Sequence, residues 1–147
     1  MSDKLFMGRT EVDVPRTIGD IMGVLGRAPN VKRIAQHWEQ GKPAGIEFGL
    51  ELKPGFVKDY RLPVRTEAVW GRLQSLRSYK GAKNREHAER VAWRQVFRWL
   101  EAQLAMIETG NSSSQEIFLP FLLDGPGGKT LFEAWQDSQL LLEAPKS

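Results

Sequence analysis

Arg90, Arg94 and Arg98 recur at intervals of four, with Arg85 just upstream of them. On a helix, positions i, i+4 and i+8 form one continuous ridge, and planar guanidinium forks on a rigid ridge suit phosphate oxygens. Like charges at this spacing cost about 0.2–0.5 kcal/mol per pair, so the ridge calls for an anionic partner. Arg72, Arg77, Lys80 and Lys83 extend the basic stretch, and Tyr79 adds a ring on which a base could stack. Residues 70–98 hold eight basic and two acidic side chains, whereas residues 99–147 hold two basic and seven acidic. Such asymmetry fits a partner that is a polyanion, or an acidic half that folds back on the basic one.

A second stretch has the look of phosphate chemistry. In FLPFLLDGPGGKTLF (Phe118 to Phe132), Gly128-Lys129-Thr130 matches the end of a P-loop, G-x-x-x-x-G-K-[ST]. The glycine required five positions earlier is Leu123, and only 17 residues follow Thr130, too few for later strands carrying a magnesium-binding acid. Thr130 and Glu133 are instead spaced as a capping box, T-x-x-E, at the start of a helix. The glycines and Pro126 then make the turn that leads into it.

Other catalytic patterns are fragments. Glu51-Leu52-Lys53 matches half of a metal-dependent nuclease pattern, PD-(D/E)xK, but the upstream strand-linked Asp is missing. The two histidines, His37 and His87, have no Ser or acid partner at motif spacing, and neither G-x-S-x-G nor H-E-x-x-H occurs. With no cysteine there is no thiolate metal site, nucleophile or disulfide. The expectation is a non-enzymatic protein with no catalytic residue, cofactor or metal.

The elements that position the ridge follow from periodicity. Pro15 suits a first helical turn, Ile18, Ile21, Met22 and Leu25 fall on one face, and Gly26 and Pro29 mark the end. Three strand-like runs come next. Residues 31–38 are the least regular; 45–52 alternate through Ile46, Phe48, Leu50 and Leu52; 56–64 alternate after the Pro54-Gly55 turn. Pro63 places the third at an edge, and short connections make an antiparallel meander. Residues 66–79 and 85–109 then read as helices. The second has Asn84 as N-cap, Gly110 past its end, and an apolar stripe including Trp93, Phe97 and Leu100 that suits packing on the sheet. Ser113 and Glu116 form a capping box before IFLPFLL, which Pro120 kinks or ends, and a last helix runs from Leu131 to about Leu141. The predicted fold is a single α+β domain, a three-stranded antiparallel meander with flanking helices, one long central helix and a C-terminal helical pair.

Two topological analogies stand beside this. The α-β-β-β-α order of residues 17–79 is that of a double-stranded-RNA-binding domain, without that family's strand-entry His or basic helix start. Three antiparallel strands followed by a long helix are also similar to the core of single-strand annealing proteins. The blocks AERVAWR (Ala88 to Arg94), EAQLAMIETG (Glu101 to Gly110), EIFLPFL (Glu116 to Leu122) and KTLFEA (Lys129 to Ala134) resemble small phage and prophage proteins, in the same order over the C-terminal 40% or so. That resemblance implies a phage context and a host cytoplasm; it assigns no activity and no functional residue.

The longest apolar run, Ile117 to Leu123, falls short of the roughly 20 residues a membrane helix needs. The first residues lack the apolar core of a signal peptide. A cytoplasmic nucleic-acid-binding accessory protein is therefore expected, with Arg72, Arg77, Tyr79, Lys80, Lys83, Arg85, Arg90, Arg94 and Arg98 at the interface. The alternative is a protein–protein module, an oligomer subunit or an inhibitor of host machinery, whose ridge meets an acidic protein surface.

Overall fold

The computed structural model describes residues 4–76, 84–125 and 127–143, with side chains through 139. The elements run α1 (Val14–Arg27), β1 (Val31–Glu39), β2 (Lys42–Lys53), β3 (Phe56–Pro63), α2 (Thr66–Ser75), α3 (Arg85–Glu108), α4 (Ser114–Phe118), a 3-10 turn (Leu119–Phe121) and α5 (Leu131–Glu143). The antiparallel meander β1-β2-β3, the long α3 and the C-terminal helices are those the periodicity predicts. Two compact units form, each from two segments: Met1–Ala28 with Pro63–Ala105, and Pro29–Leu62 with Met106–Ser147.

The first unit is helical. Asp13 caps α1 by accepting from the Arg16 N–H, Pro15 lies in the first turn, and Thr17, Ile18, Ile21 and Leu25 are buried. Asn84 caps α3, its side chain accepting from His87 N at 2.6 Å. The segment before α1 is tied to α3: Gln95 donates to the Phe6 carbonyl at 2.9 Å and His87 Nε2 to the Gly8 carbonyl at 2.7 Å. Leu73, Leu76 and Ala88 join α2 to α3 in a small apolar cluster covered by Leu5, Val69 and Trp70. Helix α2 is shorter than expected. Leu76 is extended at its C-cap, and residues 77–83 lie outside the described residues.

In the second unit, β2 places Ile46, Phe48 and Leu50 on one buried face. Phe48 stacks on Tyr60 (centroids 5.6 Å) and meets Phe118 edge-on at 5.1 Å, so β2, β3 and α4 share one aromatic core. β1 is the irregular strand, with register shifts at Val31/Arg33 and at His37/Trp38. Such bulges twist an edge strand away from further pairing. The β3 edge is met by Leu122 and Leu123: Tyr60 bridges Leu122, and Leu123 N donates to the Asp59 carbonyl at 2.8 Å.

The glycine-rich stretch is closed upon itself. Leu123 bridges Thr130, Asp124 N donates to the Lys129 carbonyl at 3.0 Å, and Gly128 N donates to the Gly125 carbonyl. Gly125 (φ 81°) and Gly127 (φ 69°) occupy left-handed backbone. A Cβ on Gly128 would collide with the Asp124 carbonyl. The Thr130/Glu133 capping box forms in both directions, at 3.1 and 2.9 Å, as does that of Ser113 and Glu116. The loop that resembled a phosphate cradle is a turn between a short bridge and a helix cap.

Candidate nucleic-acid interface

Within the first unit the structure separates the ridge arginines by what holds them. Arg94 is largely enclosed: its side chain is 12% exposed, and Nη1 donates to Asp20 Oδ2 at 2.8 Å. The same atom lies 3.4 Å from Thr17 Oγ1, and the guanidinium sits 4.6 Å from the Phe97 ring centre. Asp20 and Thr17 belong to α1, so Arg94 fastens α1 to α3.

Arg90 is half-buried and faces His87. Since the Gly8 carbonyl can only accept, His87 Nε2 carries a proton, which leaves Nδ1 to accept from Arg90 Nη2 at 3.5 Å. Arg98 is 44% exposed and donates to Glu101, one turn on, at 2.7 Å, while lying 5.4 Å from the Phe97 ring centre. The anionic partners that the like-charge spacing calls for are thus Asp20 for Arg94 and Glu101 for Arg98. Neither acid belongs to the C-terminal helices.

Arg85 and Arg72 are exposed too, like Arg98 and like Lys4, Arg9, Arg16, Arg27 and Arg65 elsewhere in the unit. The Arg85 side chain is 57% exposed, pairs with the exposed Glu67 of α2, and lies 5.6 Å from the Trp70 ring centre. Arg72 is exposed and bonds to Ser75 at 3.3 Å. An ion pair as exposed as Arg85–Glu67 is worth only about 0–1 kcal/mol, so its guanidinium can exchange Glu67 for another anion. Arg77, Tyr79, Lys80 and Lys83, expected to share this surface, lie outside the described residues. The first unit carries thirteen basic and eight acidic side chains, a net +5; the second carries eight and ten, a net −2.

The second unit has a polar cluster around Arg61, Glu47 and His37. Arg61, 12% exposed, donates to Glu47 Oε1 through Nε at 2.9 Å and Nη2 at 2.8 Å, and to the Gly128 carbonyl at 3.2 Å. The glycine turn is thereby pinned to the sheet. His37 lies 3.1 Å from Glu39 and 3.6 Å from Glu47. Beside them Arg33 pairs with Asp59 over Gly49, where an added Cβ would lie 3.0–3.1 Å from Val57 and Asp59. Strand alternation places Glu47 on this face, but only the register of β1 on β2, which pairs Ala35 with Glu47, brings His37 within reach.

Among the described residues no group of three His, Asp or Glu side chains could hold a metal ion, and no helix is long and apolar enough to cross a membrane. Comparison with protein-family models, curated proteins and solved structures finds no match for the chain.

Proposed function

We propose that the chain is a non-enzymatic nucleic-acid-binding accessory protein of phage type, serving replication, recombination or regulation. Its first unit contacts phosphate with the cations at the α2–α3 end. The observation that carries this reading is the accessibility of Arg72 and Arg85, between which the sequence supplies Arg77, Lys80 and Lys83. Arg98 adds a partly exposed guanidinium, whereas Arg94 keeps α1 on α3 and leaves the contact to its neighbours. Contacts of this kind hold a nucleic acid without reading its sequence and weaken steeply with salt.

The test is titration of labelled single- and double-stranded DNA and RNA of 20 nucleotides at graded salt. Single strands should show a log–log slope of about −0.7 per phosphate contacted, and Arg72→Ala/Arg85→Ala should flatten it by about 1.4. Absence of binding by the folded protein at low salt would end this reading.

One observation favours the alternative, a protein–protein module. Every residue of α5 from Leu131 to Gln136 is exposed, Trp135 by 56% and Phe132 by 38%. A 13-residue helix with that much bare aromatic surface gains stability from a partner. Light scattering decides: an oligomer that Trp135→Ala dissociates supports this role.

A further inference from the structure

The second unit carries another cluster of aromatic and basic groups, at the tip of the β2–β3 hairpin. The turn is rigid and tight: Pro54 presets its own φ, and Gly55 takes the left-handed conformation at φ 77°. Immediately after it, Phe56 and Val57 are about 40% exposed, although every other second residue on the Phe56 face of β3 from Tyr60 on is buried. Lys53 and Lys58 each hold their ammonium group against the Phe56 ring, 5.3 and 5.0 Å from its centre. Lys32 belongs to the same end of the sheet, since Val31 pairs with Leu50 and Glu51 N donates to the Asn30 carbonyl.

The charges here differ from those on α3. Among the described residues Lys32, Lys53 and Lys58 have no carboxylate partner, whereas Arg94, Arg98 and Arg85 each have one. The neighbouring acid Asp59 is engaged by Arg33, and Glu51 is half-buried. Two lysines without a carboxylate partner therefore flank an accessible phenyl ring, and a third lies at the same end of the sheet.

We propose that this hairpin tip is a second contact for single-stranded nucleic acid, in which an unstacked base lies on Phe56 while Lys53, Lys58 and Lys32 meet the flanking phosphates. The inference rests on the nucleic-acid reading above and adds to it a site and a preference for single strands. A phenyl face accepts any base but needs one free of its duplex neighbours. The lysines that cover the ring are on long flexible stems, so they can give up the ring for phosphate as the base arrives. A lipid surface is the poorer match, because one phenyl and one valine offer little to insert, and stable membrane anchoring takes two strong signals.

The experiment measures binding of fluorescein-labelled dT20, of a 20-base-pair duplex and of vesicles containing phosphatidylserine by wild type, Phe56→Ala, Phe56→Tyr, Lys53→Ala/Lys58→Ala and Arg72→Ala/Arg85→Ala. Circular dichroism verifies that each variant is folded. Losing one stacked base should weaken dT20 binding about tenfold in Phe56→Ala, while Phe56→Tyr keeps it. The double lysine variant should flatten the dT20 salt slope by about 1.4. Duplex binding should change less than twofold in Phe56→Ala. Photocrosslinking to dT20 carrying 5-iodouracil should recover the peptide that contains Phe56.

If dT20 binding survives the tip variants but falls in Arg72→Ala/Arg85→Ala, the hairpin site is refuted and the first-unit site stands. If wild type binds no oligonucleotide at low salt, both fall. Vesicle binding that the tip variants abolish, with dT20 binding unchanged, would assign the tip to lipid and overturn the inference.

Discussion

Replacing Asp20 by Ala removes the one acid that, among the described residues, pairs with a guanidinium that is 12% exposed and held between α1 and α3. Breaking a fully buried pair from one side costs about 3–5 kcal/mol. Asp20 itself is 37% exposed, so water partly replaces it and the lower range for a charged hydrogen bond applies, about 1.5–3 kcal/mol. Thr17 Oγ1 and the Phe97 ring remain, which favours a loss near 2 kcal/mol. With a urea m-value of about 2 kcal/mol per M, the midpoint should fall by about 1 M. Glu101→Ala removes the corresponding acid from Arg98, but that pair is exposed on both sides and should cost under about 0.5 kcal/mol. Urea unfolding followed by circular dichroism gives both values, and the double variant Asp20→Ala/Arg94→Ala closes the cycle. A loss for Asp20→Ala no greater than that for Glu101→Ala would refute the division of the ridge into a structural and an accessible part.

Three further outcomes concern other positions. Gly128→Ala drives a methyl group into the Asp124 carbonyl and should cost about 1–3 kcal/mol by thermal or urea unfolding; Gly71→Ala, where a Cβ meets nothing within 4 Å on a helix, should be neutral or slightly stabilising. Thr130→Ala deletes one half of the α5 capping box and should cost about 1 kcal/mol, largely recovered in Thr130→Ser. Burial raises the Tyr60 phenol above its ordinary value of 10. Its contribution is fully present below pH 10 and is lost as pH rises, because the unfolded chain ionises there first. Stability should therefore fall more steeply above pH 10 in wild type than in Tyr60→Phe.

Much of this architecture is local and so can be read along the chain. The alternation of Ile46, Phe48 and Leu50 fixes the buried face of β2, and the capping boxes Ser113/Glu116 and Thr130/Glu133 announce the starts of α4 and α5. Gly110, with φ 79°, stands just past α3 where a left-handed residue is needed. Glu101, three residues on from Arg98, is legible as its partner, but the partner of Arg94 is not. Arg94 is paired with Asp20, 74 positions away, and no periodicity connects them. For the same reason the N-terminal segment gave no sign that its Phe6 and Gly8 carbonyls would accept from α3. The hairpin tip was legible only as a turn, since the exposure of Phe56 depends on where the core ends.

The central claim, that accessible cations of the helical unit hold phosphate, is tested most directly by the salt dependence of dT20 binding in wild type and Arg72→Ala/Arg85→Ala. Affinity should fall linearly on a log–log plot, with a slope that flattens by about 1.4 in the variant. Identical slopes for the two proteins, or no binding by wild type at low salt, would contradict it.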